Sequence, residues 1–215
     1  MRLSLLLAIG SVAILTALFI RARLPKPTEL PPVKIASSET TPLCPWRDSS
    51  RDLAILFPSA TEQVVETRIL TSAMIPIQKR LGRYMRADEN PLRIYRARNG
   101  TNIGSILVHR VRGEHGAIEI VTGIEQGAVR AVLIQSQREP VAVARTITNA
   151  MWLGAFAGKN VSSRLRVGED LPNVPNEARL SAQAIADGVR AQLILLSFAD
   201  MWDVSAAGAR NHVHH

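Results

Sequence analysis

Residues Asn176-Glu177-Ala178-Arg179-Leu180-Ser181 stand where an apolar run of helical period begins, and they bring a guanidinium and a hydroxyl to the start of an expected helix. Helix N-termini attract anions, because their free N–H groups and the macrodipole both point outward there. Arg179 could therefore hold a phosphate through bidentate hydrogen bonds. Glu177 opposes this by bringing a negative charge to the same place. The plainer reading is an exposed arginine, or one paired with Glu177 or Asp170. Trp152 could stack on a flat ring, although its place on an apolar helical stripe suits the core. Glu139 could face a ligand, or only shape the loop before Pro140.

No constellation for hydrolysis or group transfer accompanies these residues. The chain has no nucleophile elbow, no His-Glu-x-x-His pair and no P-loop. His109 and His115 lie on or beside an expected hairpin with no cysteine nearby, and they read as surface histidines. His212, His214 and His215 read as a frayed tail without a supporting carboxylate or second cluster, so no metal site is expected. The single cysteine, Cys44, excludes an internal disulfide and follows no lipobox-like run.

The 215 residues are 47% hydrophobic and 20% charged, enough for one domain with a packed core plus appendages. Aromatic residues are scarce at 4%, which argues against a stacking platform for single-stranded nucleic acid. The net charge of +8 comes from 22 Arg and 4 Lys against 18 acidic residues. The cations are dispersed along the chain with no block of five or six, so they read as a solvated surface; a basic face toward anionic lipid or an acidic partner is the alternative.

Several elements must position the chemistry-bearing residues. Leu3 to Ile20 is a nearly unbroken apolar run whose eighteen residues would reach roughly 27 Å as a helix, enough to cross a thin bilayer core. Arg21-Ala22-Arg23-Leu24-Pro25 follows it and suits signal cleavage poorly, so an uncleaved anchor is expected. Leu24 to Ser50 holds six prolines and reads as an extended spacer, with Trp46 as an anchor for a partner or for its own domain. Beyond it, a short helix over Leu53 to Phe57 stops at Pro58, and a strand over Gln63 to Leu70 precedes a helix from Ser72, its expected cap, to Leu81 before Gly82. Strands are expected over Leu92 to Ala97, Ile103 to Val111, Ala117 to Gly123 and Ala128 to Ser136. The turns at Asn99-Gly100, Gly113-Glu114-His115-Gly116 and Glu125-Gln126-Gly127 are short enough to make them antiparallel. A helix over Ala142 to Phe156 carries Ile147, Met151 and Ala155 on one stripe, and a last helix runs from Leu180 to Phe198. Strands in a block followed by helices define an α+β class.

Five patterns then occur in one order: Leu56-Phe57-Pro58-Ser59-Ala60; the long hairpin from Gly104 through Ser136; Glu139-Pro140; Trp152-Leu153-Gly154-Ala155-Phe156-Ala157-Gly158-Lys159; and Asn176 to Arg190. Together they resemble the extracytoplasmic FMN-binding domains of the Rnf and sodium-pumping NADH:quinone oxidoreductase complexes, over about Leu53 to Phe198. In that family the last pattern is Ser-Gly-Ala-Thr-x-Ser/Thr, and its threonine hydroxyl carries flavin through a phosphoester. Ala178 matches the alanine, Arg179 falls at the threonine and Ser181 at the second hydroxyl position. Arginine has no hydroxyl to esterify. Asn176 and Glu177 replace Ser-Gly, Ala182 replaces a frequent small hydroxyl residue, and the histidine expected before Glu139 is missing.

The expected fold is an α+β antiparallel sheet with flanking helices, as in the family it resembles, preceded by one transmembrane helix over the apolar run. The divisions are an anchor (1–23), a spacer (24–50), an FMN-binding-like domain (51–200) and a tail (201–215). The resemblance implies a single-pass protein of the cytoplasmic membrane with its domain in the periplasm, whereas Arg21, Arg23 and Lys26 after the span favour the opposite orientation. Covalent flavin is not expected, which leaves FMN to be held noncovalently by Arg179, Ala178, Ser181, Glu139 and Trp152, or these positions to be vestigial. The expected partners are the bilayer, through Leu3–Ile20, and other subunits of a respiratory or photosynthetic membrane redox complex, with no nucleic acid. The expected role is that of a flavin-free accessory subunit or a noncovalent electron-transfer protein, and not of an enzyme in its own right.

Overall fold

The computed structural model describes residues 49–210, with side chains over 51–201. The expected anchor, the spacer with Cys44 and Trp46, and the terminal histidines lie outside the described residues. Among the described residues, no helix is long and apolar enough to cross a membrane.

Helix α1 (Ser49–Leu56) leads through Pro58 to strand β1 (Glu62–Arg68). A 3₁₀ turn (Thr71–Ala73), helix α2 (Met74–Leu81) and a second 3₁₀ turn (Ala87–Glu89) follow. Four strands come next: β2 (Leu92–Asn99), β3 (Thr101–Arg112), β4 (Ala117–Glu125) and β5 (Ala128–Gln137). After them come α3 (Val141–Ile147), α4 (Ala150–Gly154), a 3₁₀ turn (Asn176–Ala178) and α5 (Arg179–Arg210). The strands form one antiparallel sheet in the order β1-β2-β3-β4-β5, so every neighbour in space is a neighbour in sequence. The expected α+β class and antiparallel hairpins are observed. The β4–β5 turn needs left-handed backbone at two successive residues, and Gln126 (φ 51°) and Gly127 (φ 78°) supply it.

Alternation along the central strands explains how the sheet is covered. In β4, Ile118, Ile120 and Ile124 join the main core with Leu107 and Val111 of β3, while Val121 joins a smaller cluster with Ile106, Ala97, Leu56 and Phe57. Side chains two apart share a face. The strand is therefore buried on both sides, with α1 over one face and α5 over the other. α5 presents Ala182, Ile185, Ala186, Val189, Leu193 and Leu196 to the main core at helical spacing, all buried. Each fully buried Ile or Leu contributes about 1.5–3 kcal/mol. Gly188 sets the closeness of approach: a Cβ there would lie 2.5 Å from Val111 Cγ1 and 2.8 Å from Ile120 Cδ1.

Three expectations about helices are corrected. The helix expected over Ala142 to Phe156 is two helices, because the Asn149 side chain accepts from the N–H groups of Met151 and Trp152 and starts a new one. The stripe through Ile147, Met151 and Ala155 breaks with it: Ile147 is buried, but Met151 is 86% exposed. Ser72 does not cap a helix; it lies in the 3₁₀ turn, and α2 begins at Met74 without a side-chain cap. The last helix does not end at Phe198 but continues to Arg210.

Candidate functional site

The residues named from sequence fall into three separate surroundings. Ser181 and Glu139 meet at the β3–β4 turn. Ser181 is fully buried, and its Oγ accepts from the Glu114 N–H at 2.9 Å. Glu139, also buried, accepts from the His115 N–H at 3.3 Å through both carboxylate oxygens. The Glu139 N–H in turn donates to Gln137 Oε1 at 2.5 Å. Gly113 opens the turn and donates to the Gly116 carbonyl at 2.7 Å. A Cβ on Gly113 would lie 2.0 Å from Glu139 Oε1 and 3.0 Å from Ser181 Oγ, so both side chains press against a bare backbone. Acceptors placed this way satisfy turn N–H groups that the sheet ladder cannot reach.

Arg179 stands apart from that brace. Pro175 and the 3₁₀ turn wind directly into α5, with the Ala178 N–H donating to the Pro175 carbonyl at 2.9 Å. Ala178 is fully buried and Arg179 is exposed. Among the described residues, neither Glu177 nor Asp170 forms an ion pair with it. Asp170 instead accepts from the backbone N–H groups of Leu165 at 2.8 Å and Arg166 at 2.6 Å. Burial pushes the Asp170 carboxyl up, but these backbone donors outweigh it and hold the group below its ordinary value.

Trp152 occupies the third place. It is 5% exposed and meets Phe156 edge to face, with centroids 5.2 Å apart at 82°. Among the described residues, its Nε1–H has no hydrogen-bond partner. It borders a cleft of about 550 Å³ together with Arg145, Asn149, Met151, Val174 and Pro175. Neither Arg179, Ser181 nor Glu139 lines that cleft. The five positions therefore do not converge on one open pocket: Glu139 and Ser181 brace a turn, Ala178 is core, Trp152 is core at the edge of a cleft, and Arg179 faces solvent.

Sequence reading missed a buried ionic cluster. His109 is 6% exposed, which corrects its reading as a surface histidine. Its Nε2 lies 2.5 Å from an Arg86 NH2 and 3.6 Å from Glu89 Oε1. Because arginine can only donate, Nε2 accepts and the ring proton sits on Nδ1. Burial, reinforced by Arg86, pushes the His109 pKa down from 6.5 to about 4. Glu89 is held bidentately by Arg83 at 2.5 and 2.9 Å and accepts from the Arg86 N–H at 2.8 Å. Burial raises the Glu89 pKa, but Arg83 and the Arg86 N–H outweigh it and lower the group overall. The period of β3 held the signal, since His109 lies between the inward-facing Leu107 and Val111. His115 is exposed, as expected.

The fold and these sites define an α+β domain with a five-stranded antiparallel meander covered by helices on both faces. No family model matches the sequence, and no curated protein matches it. Among solved structures, the chain is similar to Shewanella oneidensis NqrC at 13% sequence identity with a TM-score of 0.42; the match covers 51% of this chain and 61% of that one. The chain thus spans under two thirds of that protein's length, and the fold assignment rests on the sheet and helices described above.

Proposed function

We propose that this chain is a membrane-anchored, FMN-binding-like domain that serves as a flavin-free accessory subunit of a respiratory or photosynthetic membrane electron-transfer complex. One observation carries the reading. Arg179 stands where the resembling family esterifies flavin, and the nearby hydroxyl that could replace it, on Ser181, is fully buried and engaged with Glu114 N–H. A phosphoester at Ser181 would need that hydroxyl exposed and the turn released. Arg179 itself has no hydroxyl and can hold a phosphate only noncovalently.

A flavin test separates this reading from its rival. A denatured gel band of the chain should show no flavin fluorescence, and protein extracted in mild detergent should show no saturable FMN binding. The second reading, a noncovalent FMN-binding electron-transfer protein, is favoured by Arg179, exposed at the start of a long helix and unpaired among the described residues. An arginine–phosphate contact is worth about 1.5–3 kcal/mol. If that reading holds, Arg179→Ala should weaken FMN binding roughly 10- to 100-fold.

In both readings the run from Leu3 to Ile20 holds the chain in the cytoplasmic membrane with its domain in the periplasm. Intact-mass measurement should find the N-terminal segment retained. Protease added to spheroplasts, but not to intact cells, should cut the domain. Protection in spheroplasts would show that the charges at Arg21, Arg23 and Lys26 set the orientation.

A further inference from the structure

Lys79 and Arg80 near the end of α2, Arg164 and Arg166 in the loop after α4, and Arg190 on α5 are far apart in sequence. They line one cleft of about 740 Å³. Among the described residues, Asp187 is the only carboxylate in that lining, and Glu169 lies just outside it beside Arg164 and Arg166, so cations remain in clear excess. No block of basic residues announces this, because the gathering is made by three separate segments. Arg190 donates to the Arg80 carbonyl at 3.1 Å, which fixes its charge at the seam between α2 and α5. Asp187 accepts from Gln183 Nε2 at 3.0 Å.

The two loop arginines are only loosely held and can turn toward a ligand. Arg164 and Arg166 approach Glu169 only at 3.9 and 3.7 Å, and their side chains are 79% and 64% exposed. Such solvated pairs are weak and easily exchanged. Holding five like charges around a recess costs mutual repulsion, which a bound anion relieves.

The geometry points to a binding site for a multiply charged phosphate anion, a diphosphate group carried either by a free molecule or by a two-phosphate lipid headgroup. Guanidinium forks chelate phosphate oxygens bidentately, and here they approach from separate segments. A recess walled on several sides suits a compact group charged all round, more than an extended acidic chain or a flat membrane surface. The site uses none of Arg179, Glu139 or Trp152, so it stands or falls apart from the flavin readings.

Calorimetric titration of the full chain in mild detergent tests the site, with pyrophosphate in one arm and a short-chain two-phosphate lipid in the other. Phosphatidylcholine of the same chain length is the blank. We expect saturable binding in at least one arm, weakened at least roughly tenfold in the double variant Arg164→Ala/Arg166→Ala, as loss of charged hydrogen bonds implies. Asp187→Asn should tighten it, and Arg179→Ala should leave it unchanged. Both substituted loop arginines are exposed, so the fold should survive, and circular dichroism would check that. Binding of pyrophosphate alone would assign a free anion, and binding of the lipid alone a headgroup. Saturation in neither arm, or equal binding by the double variant, would overturn the proposal. So would an acidic peptide that binds where both phosphates fail, since that would assign a protein partner.

Discussion

Ser181 and Glu139 accept hydrogen bonds from successive N–H groups of the β3–β4 turn, those of Glu114 and His115. Removing one acceptor strands a donor in a partly buried place, at a cost of about 1–3 kcal/mol. Ser181→Ala should therefore lower the melting temperature by several degrees, since about 1 kcal/mol corresponds to roughly 2–4 °C at this size. Amide exchange at Glu114 should quicken at the same time. Arg179→Ala, at an exposed position, should stay within about 0.5 kcal/mol of the parent. An unchanged melt for Ser181→Ala would mean that the hydroxyl is spare and open to other chemistry. Sequence pattern named Ser181 and Glu139 but not their task. That task depends on a contact between Ser181 and a turn 67 positions earlier, which no local spacing encodes.

At the scale of elements, the sheet was legible because two local rules agree: side chains alternate along each strand, and turn residues separate the strands. The five expected strands appear, and the four joined by short turns run antiparallel as expected; the place of β1 beside β2 is set by the structure. The helices were less legible where a side chain competes with the ladder. Asn149 reads as one more polar residue inside a helix until its Oδ1 is seen to accept from Met151 and Trp152. The last helix outruns its expected end because no glycine or proline follows Phe198 until Gly208. Gly188 offers the sharpest element-level test. In an isolated helix, Gly188→Ala would stabilise by about 1 kcal/mol. Here the new methyl group would enter the side chains of Val111 and Ile120, and overpacking of that kind costs about 1–3 kcal/mol. Chemical denaturation should show net destabilisation, partly rescued when Val111→Ala opens space beneath it. If Gly188→Ala alone were more stable, the helix would sit farther from the sheet than described.

Over the whole molecule, charge was the property least legible in sequence. Dispersed arginines gather into one cleft, and Arg96, inside β2, is buried among Glu66 of β1, Ser105 of β3 and Asp200 of α5 at 3.0, 2.7 and 2.6 Å. The Arg83–Arg86–Glu89–His109 cluster ties the loop before β2 to β3 in the same way, and it makes stability depend on pH. His109 is neutral in the folded chain down to about 4, whereas in the unfolded chain it takes up a proton below about 6.5. The unfolded state therefore binds more protons between these values, and stability falls as the pH drops through them, by on the order of 3 kcal/mol in all. Glu89 acts in the same direction over a lower range. Its folded value lies below 4.5, so the stability it contributes is present above that pH and is lost as pH falls through the folded value. Urea denaturation between pH 7 and pH 4 should show a steady loss of stability for the parent chain. His109→Gln should remove the part of the slope above about pH 4.5 and leave the carboxylate part below it. A parent chain equally stable at pH 7 and pH 5, or a His109→Gln slope like the parent's, would mean that His109 takes up its proton in place. Arg86 would then have to turn away from Nε2.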